Sequence, residues 1–159
     1  MSKPYPSKRG FSRGERIDPA KFINKAVVDK SAKEVENFIS EHKFQDFKID
    51  QRLIRAVAAK GYETPTPIQD KIISHIIEGA DVVGIADTGT GKTAAFLIPL
   101  INKILLNLKE RVLIVTPTRE LALQIDQEFK FFARGMRIFS VCCVGGMSIG
   151  KQISELRYN

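Results

Sequence analysis

Eight consecutive residues, Ala86-Asp87-Thr88-Gly89-Thr90-Gly91-Lys92-Thr93, bring together the groups needed to hold a polyphosphate. Gly89 and Gly91 let the backbone bend so that successive amides can face an anion. Lys92 adds an ammonium suited to the β- and γ-phosphates of a nucleotide, and Thr93 adds a hydroxyl able to ligate Mg²⁺. If a helix starts here, its first amides lack partners and the positive end of its dipole faces the same anion. The run is a P-loop in which Ala86 stands where glycine is common. Lys92 and Thr93 are the candidate catalytic positions, with Thr93 also the candidate metal ligand. Asp87, Thr88, Gly89, Thr90 and Gly91 complete the cradle. Asp87 is given no catalytic task, since its carboxylate could serve the loop amides alone. This pattern addresses a nucleoside triphosphate and is silent on its base.

A second segment, Gly61-Tyr62-Glu63-Thr64-Pro65-Thr66-Pro67-Ile68-Gln69, could read the base. The primary amide of Gln69 offers a donor and an acceptor, the complement of adenine N6–H and N7. Phe44, seventeen residues before Gly61, could stack on the purine, and Tyr62 and Thr64 belong to the same candidate base-binding segment. Taken singly, such a glutamine is an ordinary solvated helix residue and Phe44 an ordinary core residue.

Two further groups suit a sugar-phosphate backbone. Pro117-Thr118-Arg119-Glu120 joins a hydroxyl to a guanidinium whose fork matches phosphate. Gly145-Gly146 would let main-chain amides approach a phosphate closely. The plain alternatives are a helix N-cap at Thr118 and a simple turn at the two glycines. Adjacent Cys142 and Cys143, with distant His42 and His75, are too few ligands for a metal site and are expected to be structural.

The elements that must position these residues follow from periodicity. Helices are expected at Leu53–Ala59, with Gly61 in a left-handed cap; from Pro67, with Thr66 as N-cap, to near Gly79; from Gly91 to about Asn107; from Arg119 to about Ala133; and from Ser148 onward. Apolar runs at Val82–Ala86, Arg111–Val115 and Arg137–Val144 read as strands. Strands alternating with helices imply an α/β fold, a parallel sheet with helices on both faces. Upstream, shorter helices are expected at Ile17–Val28 and from the capping-box pattern at Ser31–Glu34, with Val35, Phe38 and Ile39 as a packing stripe.

Of 159 residues, 43% are hydrophobic, enough for a real core, and the net charge is +7. Residues 1–16 carry +4 of it, residues 17–43 carry none and residues 44–159 carry +3. The basic start, with Pro4, Pro6, Gly10 and Gly14, is expected to be a disordered leader that could touch nucleic acid phosphates or merely aid solubility. No apolar run approaches the roughly 20 residues needed to cross a bilayer, and two cysteines make no disulfide framework. A cytoplasmic location is expected.

These motifs in this order, over about residues 44–159, resemble the DEAD-box ATP-dependent RNA helicases. Gly61–Gln69 with Phe44 is similar to that family's Q motif, and Ala86–Thr93 to its motif I. Pro117–Ala122 is similar to motif Ia and Gly145-Gly146 to the GG doublet. The resemblance implies a RecA-like fold, ATP and Mg²⁺ as cofactors, and RNA as partner. It implies that Gln69 reads adenine with Phe44 against the ring, and that Pro117, Thr118, Arg119, Glu120, Gly145 and Gly146 lie along the RNA backbone. The family's Asp-Glu-Ala-Asp and Ser-Ala-Thr motifs, its TPGR segment and its second RecA-like domain do not occur in the 159 residues. The expectation is a partial first RecA-like domain that binds adenine nucleotide and part of an RNA backbone, without efficient hydrolysis or unwinding, and with no oligomer indicated. A small P-loop kinase or GTPase would carry a lid or an Asn-Lys-x-Asp segment, which is missing. A non-catalytic nucleotide- or RNA-binding module, complete in itself, is the remaining alternative.

Overall fold

The computed structural model describes residues 38–158. Among the described residues five helices form in chain order: α1 (Gln51–Ala59), α2 (Pro67–Ile77), α3 (Lys92–Leu106), α4 (Arg119–Phe132) and α5 (Ile149–Tyr158). The expected leader at 1–16 and the upstream helix at Ile17–Val28 lie outside the described residues. So does most of the Ser31–Ile39 helix. Phe38 and Ile39 belong to no helix, and Ile39 is 83% exposed, so the expected packing stripe does not reach it.

Local chemistry explains the helix ends. The Asp50 carboxylate accepts from the Arg52 amide at 2.8 Å and so caps α1. Behind α1, Gly61 sits at φ +83°, the left-handed stop expected of it. Thr66 precedes α2 with Pro67 at its first position, where a missing N–H costs nothing. The Thr118 hydroxyl accepts from the Leu121 amide at 3.2 Å and starts α4.

One apolar core joins these pieces. α3 lies at its centre, burying Ala94, Ala95, Leu97, Ile98 and Ile101 against α2, α1 and α4. Leu53 and Val57, one turn apart on α1, meet it with Ile73 of α2 and with Ile125, Phe129 and Phe132 of α4. Each such side chain contributes about 1.5–3 kcal/mol on burial. Phe44, Phe47 and Ile49 close the same cluster ahead of α1. The loop between them is pinned by the buried Asn102 of α3, whose amide accepts from Asp50 N–H at 2.9 Å and donates to the Lys48 carbonyl at 3.1 Å. Residues 40–43 also join this body. Glu41 N–H donates to Asp70 at 2.8 Å and the His42 ring lies 2.7 Å from the same carboxylate.

The three apolar runs depart from expectation. Among the described residues no strand ladder forms at 82–86, 111–115 or 137–144. Val83 and Ile85 are about nine-tenths exposed while Gly84 faces Ile68 and Ile72 of α2. In the second run exposure still alternates in degree, with period two. Leu113 and Val115 are similarly open, and Val112 and Ile114 are exposed to a lesser degree, 38% and 37%. Side-chain contact with the helices holds the inner faces; Ser140 Oγ, for example, donates to Asp126 of α4 at 2.5 Å. Backbone pairing between runs is what the expected sheet lacks here. α5 also buries none of its residues, and Ile149, Ile153 and Leu156 all face outward.

Candidate functional site: the 86–93 loop and the Arg119–Gly146 face

The loop between the first apolar run and α3 turns on two glycines, Gly89 at φ +81° and Gly91 at φ +84°. Thr90 Oγ1 donates to the Asp87 carbonyl at 2.8 Å and tightens the turn. Gly91 is the N-cap of α3, so the amides of Lys92, Thr93 and Ala94 open the helix without partners inside it. Lys92 Nζ donates to the Ala86 carbonyl at 2.6 Å and also to the Asp87 carbonyl, so its ammonium lies within the loop. Asp87 takes part through its main chain, twice as an acceptor. Thr93 is half-buried in the first turn, and Thr88 and Gly89 are exposed at the tip.

α2 delivers the glutamine to this loop. Gln69 is only 2% exposed, against the solvated reading that a lone glutamine invites. Its Oε1 accepts from Thr66 N–H at 3.0 Å and its Nε2 donates to the Gly91 carbonyl at 3.1 Å. Each end of an amide can make one more bond. Thr66 Oγ1 donates to the neighbouring Thr90 carbonyl at 2.8 Å. Two consecutive carbonyls of the loop are therefore held from the start of α2. Thr66 was legible in the sequence as a cap but not as a tie to the loop. Its three-residue spacing from Gln69 was the only clue.

The two expected aromatics pack on each other. Phe44 is buried in the core, 4% exposed, with its ring on Tyr62 and edge-on to Phe47. Tyr62 in turn packs on Phe132 and directs its hydroxyl to Glu128 of α4 at 3.4 Å. Burial, then the Glu128 charge, pushes the Tyr62 hydroxyl upward. These contacts describe a packing cluster between α1 and α4 rather than an open stacking face. Thr64 is exposed beside it.

Part of the third group comes together in the structure, Arg119 with Gly146. Pro117, Thr118, Arg119 and Glu120 are exposed where the second apolar run meets α4, with Thr118 as the cap already described. Gly146 has φ +81°, and a Cβ placed there would lie 2.5 Å from Arg119 Nη1. A guanidinium and the Gly145-Gly146 turn thus share one exposed face, although 26 positions separate Arg119 from Gly145.

No group of three or more His, Cys, Asp or Glu suited to a metal occurs among the described residues. The Cys142 thiol is pushed up, mainly by burial, which suits a packing residue rather than a nucleophile. No described helix is long and apolar enough to cross a membrane.

Residues 66–159 match the family model of the DEAD/DEAH box helicases, which is more than half of the chain. The chain belongs to the DEAD/DEAH box helicase family. Among similar DEAD-box proteins, the ATP-dependent RNA helicase dbp10 of Schizosaccharomyces pombe is 49% identical over 116 residues, covering 71% of this chain and 14% of that protein. The DEAD-box ATP-dependent RNA helicase RhpA of Helicobacter pylori is 40% identical over 116 residues, covering 73% of this chain and 24% of that one. The chain thus spans about a quarter or less of these relatives. Two solved DEAD-box structures share its fold. A DEAD box protein from Methanococcus jannaschii superposes with a TM-score of 0.64 at 35% identity, over 72% of this chain and 32% of that one. The RNA helicase Prp28 of Chaetomium thermophilum, solved with ADP, gives 0.63 at 38% identity, over 72% and 30%.

Proposed function

We propose that residues 44–159 form the nucleotide-binding part of the first RecA-like domain of an ATP-dependent RNA helicase. The observation that carries this reading is the hydrogen bond from Gln69 to Gly91. It sets an amide with one donor and one acceptor still to satisfy beside Lys92 and the open amides of α3. Few arrangements would serve adenine and phosphates from adjacent atoms so economically.

In this reading Gln69 reads adenine, and residues 86–93 form the P-loop. The left-handed glycines, the ammonium and the helix N-terminus all fit a polyphosphate. Lys92 turns from its loop carbonyls to the β- and γ-phosphates. Thr93 is the residue that would hold Mg²⁺, which supplies neutralisation of the phosphate charge. The three apolar runs form adjacent parallel strands of the RecA-like sheet. The exposed Arg119 guanidinium and the Gly145-Gly146 turn take an RNA backbone, reading its phosphates rather than its bases. Phe44 enters only as support behind Tyr62. ATP hydrolysis and unwinding are proposed for the whole protein, in the cytoplasm, with a second RecA-like domain closing on the nucleotide.

Calorimetric titration of ADP and GDP with Mg²⁺ tests the base assignment. The expected result is a preference for ADP of about tenfold, or 1.4 kcal/mol, erased by Gln69→Ala. Equal binding of both nucleotides, unaffected by that substitution, would reduce the site to a generic phosphate loop.

A further inference from the structure

We infer that Gln152, on α5, is a positioning residue that holds the Gly145-Gly146 turn in the shape an RNA backbone requires. The inference rests on the reading of the Arg119–Gly146 face as the RNA face. Gln152 is the fourth residue of α5 and is half-buried, although α5 gives no residue to the core. Its side chain is spent on the turn. Oε1 accepts from Val144 N–H at 3.0 Å, while Nε2 donates to the Val144 carbonyl at 3.1 Å and to the Met147 carbonyl at 3.4 Å. One carboxamide thus grips the residue before the glycine pair and the residue after it.

The grip falls where the chain has least stiffness of its own. Two glycines in succession leave more backbone freedom than any other pair, and Gly146 is in the left-handed region at φ +81°. Fixing Val144 and Met147 fixes the ends of that flexible pair and so the direction of the amides between them. The turn is then held opposite the Arg119 guanidinium before any ligand arrives, which lowers the entropy lost on binding. The task needs a donor and an acceptor on one planar group. Glutamate keeps the acceptor but sets a carboxylate against two carbonyls, and leucine keeps the bulk with neither bond.

The test compares Gln152→Leu, Gln152→Glu and Arg119→Ala in the full 159-residue chain. Fluorescence anisotropy reads binding of a labelled ten-nucleotide uridine RNA, calorimetry reads ADP, and thermal melting reads the fold. Both Gln152 variants are expected to weaken RNA binding by about fivefold to tenfold, the range of one or two hydrogen bonds, with ADP affinity changed less than about twofold. Faster hydrogen exchange at the Val144 amide should accompany them. If RNA and ADP binding fall together in step with melting temperature, the role is merely structural and the inference fails. It also fails if Arg119→Ala weakens RNA binding while both Gln152 variants do not. If Arg119→Ala has no effect, or the unsubstituted chain does not bind the RNA, the RNA-face reading itself is overturned.

Discussion

Gln69 donates to the carbonyl of Gly91, the residue that caps α3, across 3.1 Å and 22 positions of sequence. Adenine reader and phosphate loop are therefore one hydrogen-bonded unit in the proposed site. A Cβ at Gly91 would collide with Gln69 Nε2, so the glycine is required twice, by its φ of +84° and by its neighbour.

Stability should report this link directly. Gln69→Ala removes a buried amide and leaves the Thr66 amide without its partner, so it is expected to cost about 1–3 kcal/mol. Thr66→Val, which loses the bond to Thr90, should cost about 1 kcal/mol. Because the two ties hold adjacent carbonyls, the double variant should lose less than the sum. Urea unfolding of the four proteins measures each value and their coupling.

Lys92→Ala should separate binding from folding. The ammonium contacts only loop carbonyls, so the melting temperature is expected to move little while ADP affinity falls at least tenfold. Calorimetry and circular dichroism on the same sample check both halves.

Gly146→Ala should be harmful for two reasons. A left-handed alanine costs about 1–2 kcal/mol, and its methyl would displace the Arg119 guanidinium. RNA binding is expected to weaken more than in Gly145→Ala, whose Cβ meets nothing within 4 Å. Anisotropy titration of the two variants decides the order.

Acid should loosen the region that precedes and starts the core. Arg52, through its side chain and then its amide, holds the Asp50 carboxyl down at about 2. Burial alone would raise Asp70, but the Glu41 amide and His42 outweigh it and leave that carboxyl lowered. Groups depressed in the folded state stabilise above the ordinary carboxylate value of about 4 and lose that contribution as pH falls toward 2. Urea midpoints should be flat from pH 7 to 5 and fall below about pH 4. Asp50→Asn should flatten part of that fall.

Helices were the most legible feature, because their caps are local. The start of α1 was the exception, since Asp50 caps it and it begins at Gln51, two residues ahead of the expected Leu53. The runs at 82–86, 111–115 and 137–144 were legible as apolar in composition, but the burial expected of sheet strands is not seen, since 82–85 and 111–115 are exposed. Whether they pair depends on partners far along the chain, which composition does not encode. Phe44 shows the same limit: its type suited stacking on a base, and only packing against Tyr62 and Phe47 reveals a core residue. Gln152 went unread because the periodicity of α5 draws attention to Ile149, Ile153 and Leu156, the residues that the fold leaves exposed.

The position of Lys92 has a consequence for anion selectivity. Its ammonium already donates to the Ala86 and Asp87 carbonyls. An incoming anion must first displace these two built-in competitors. A chloride or a lone monoester offers one site of charge and recovers little of that loss. A di- or triphosphate brings several charges that also reach the α3 amides, and it recovers more. In the proposed site the loop would thereby discriminate by valence, with small anions meeting an ammonium whose bonds are already made.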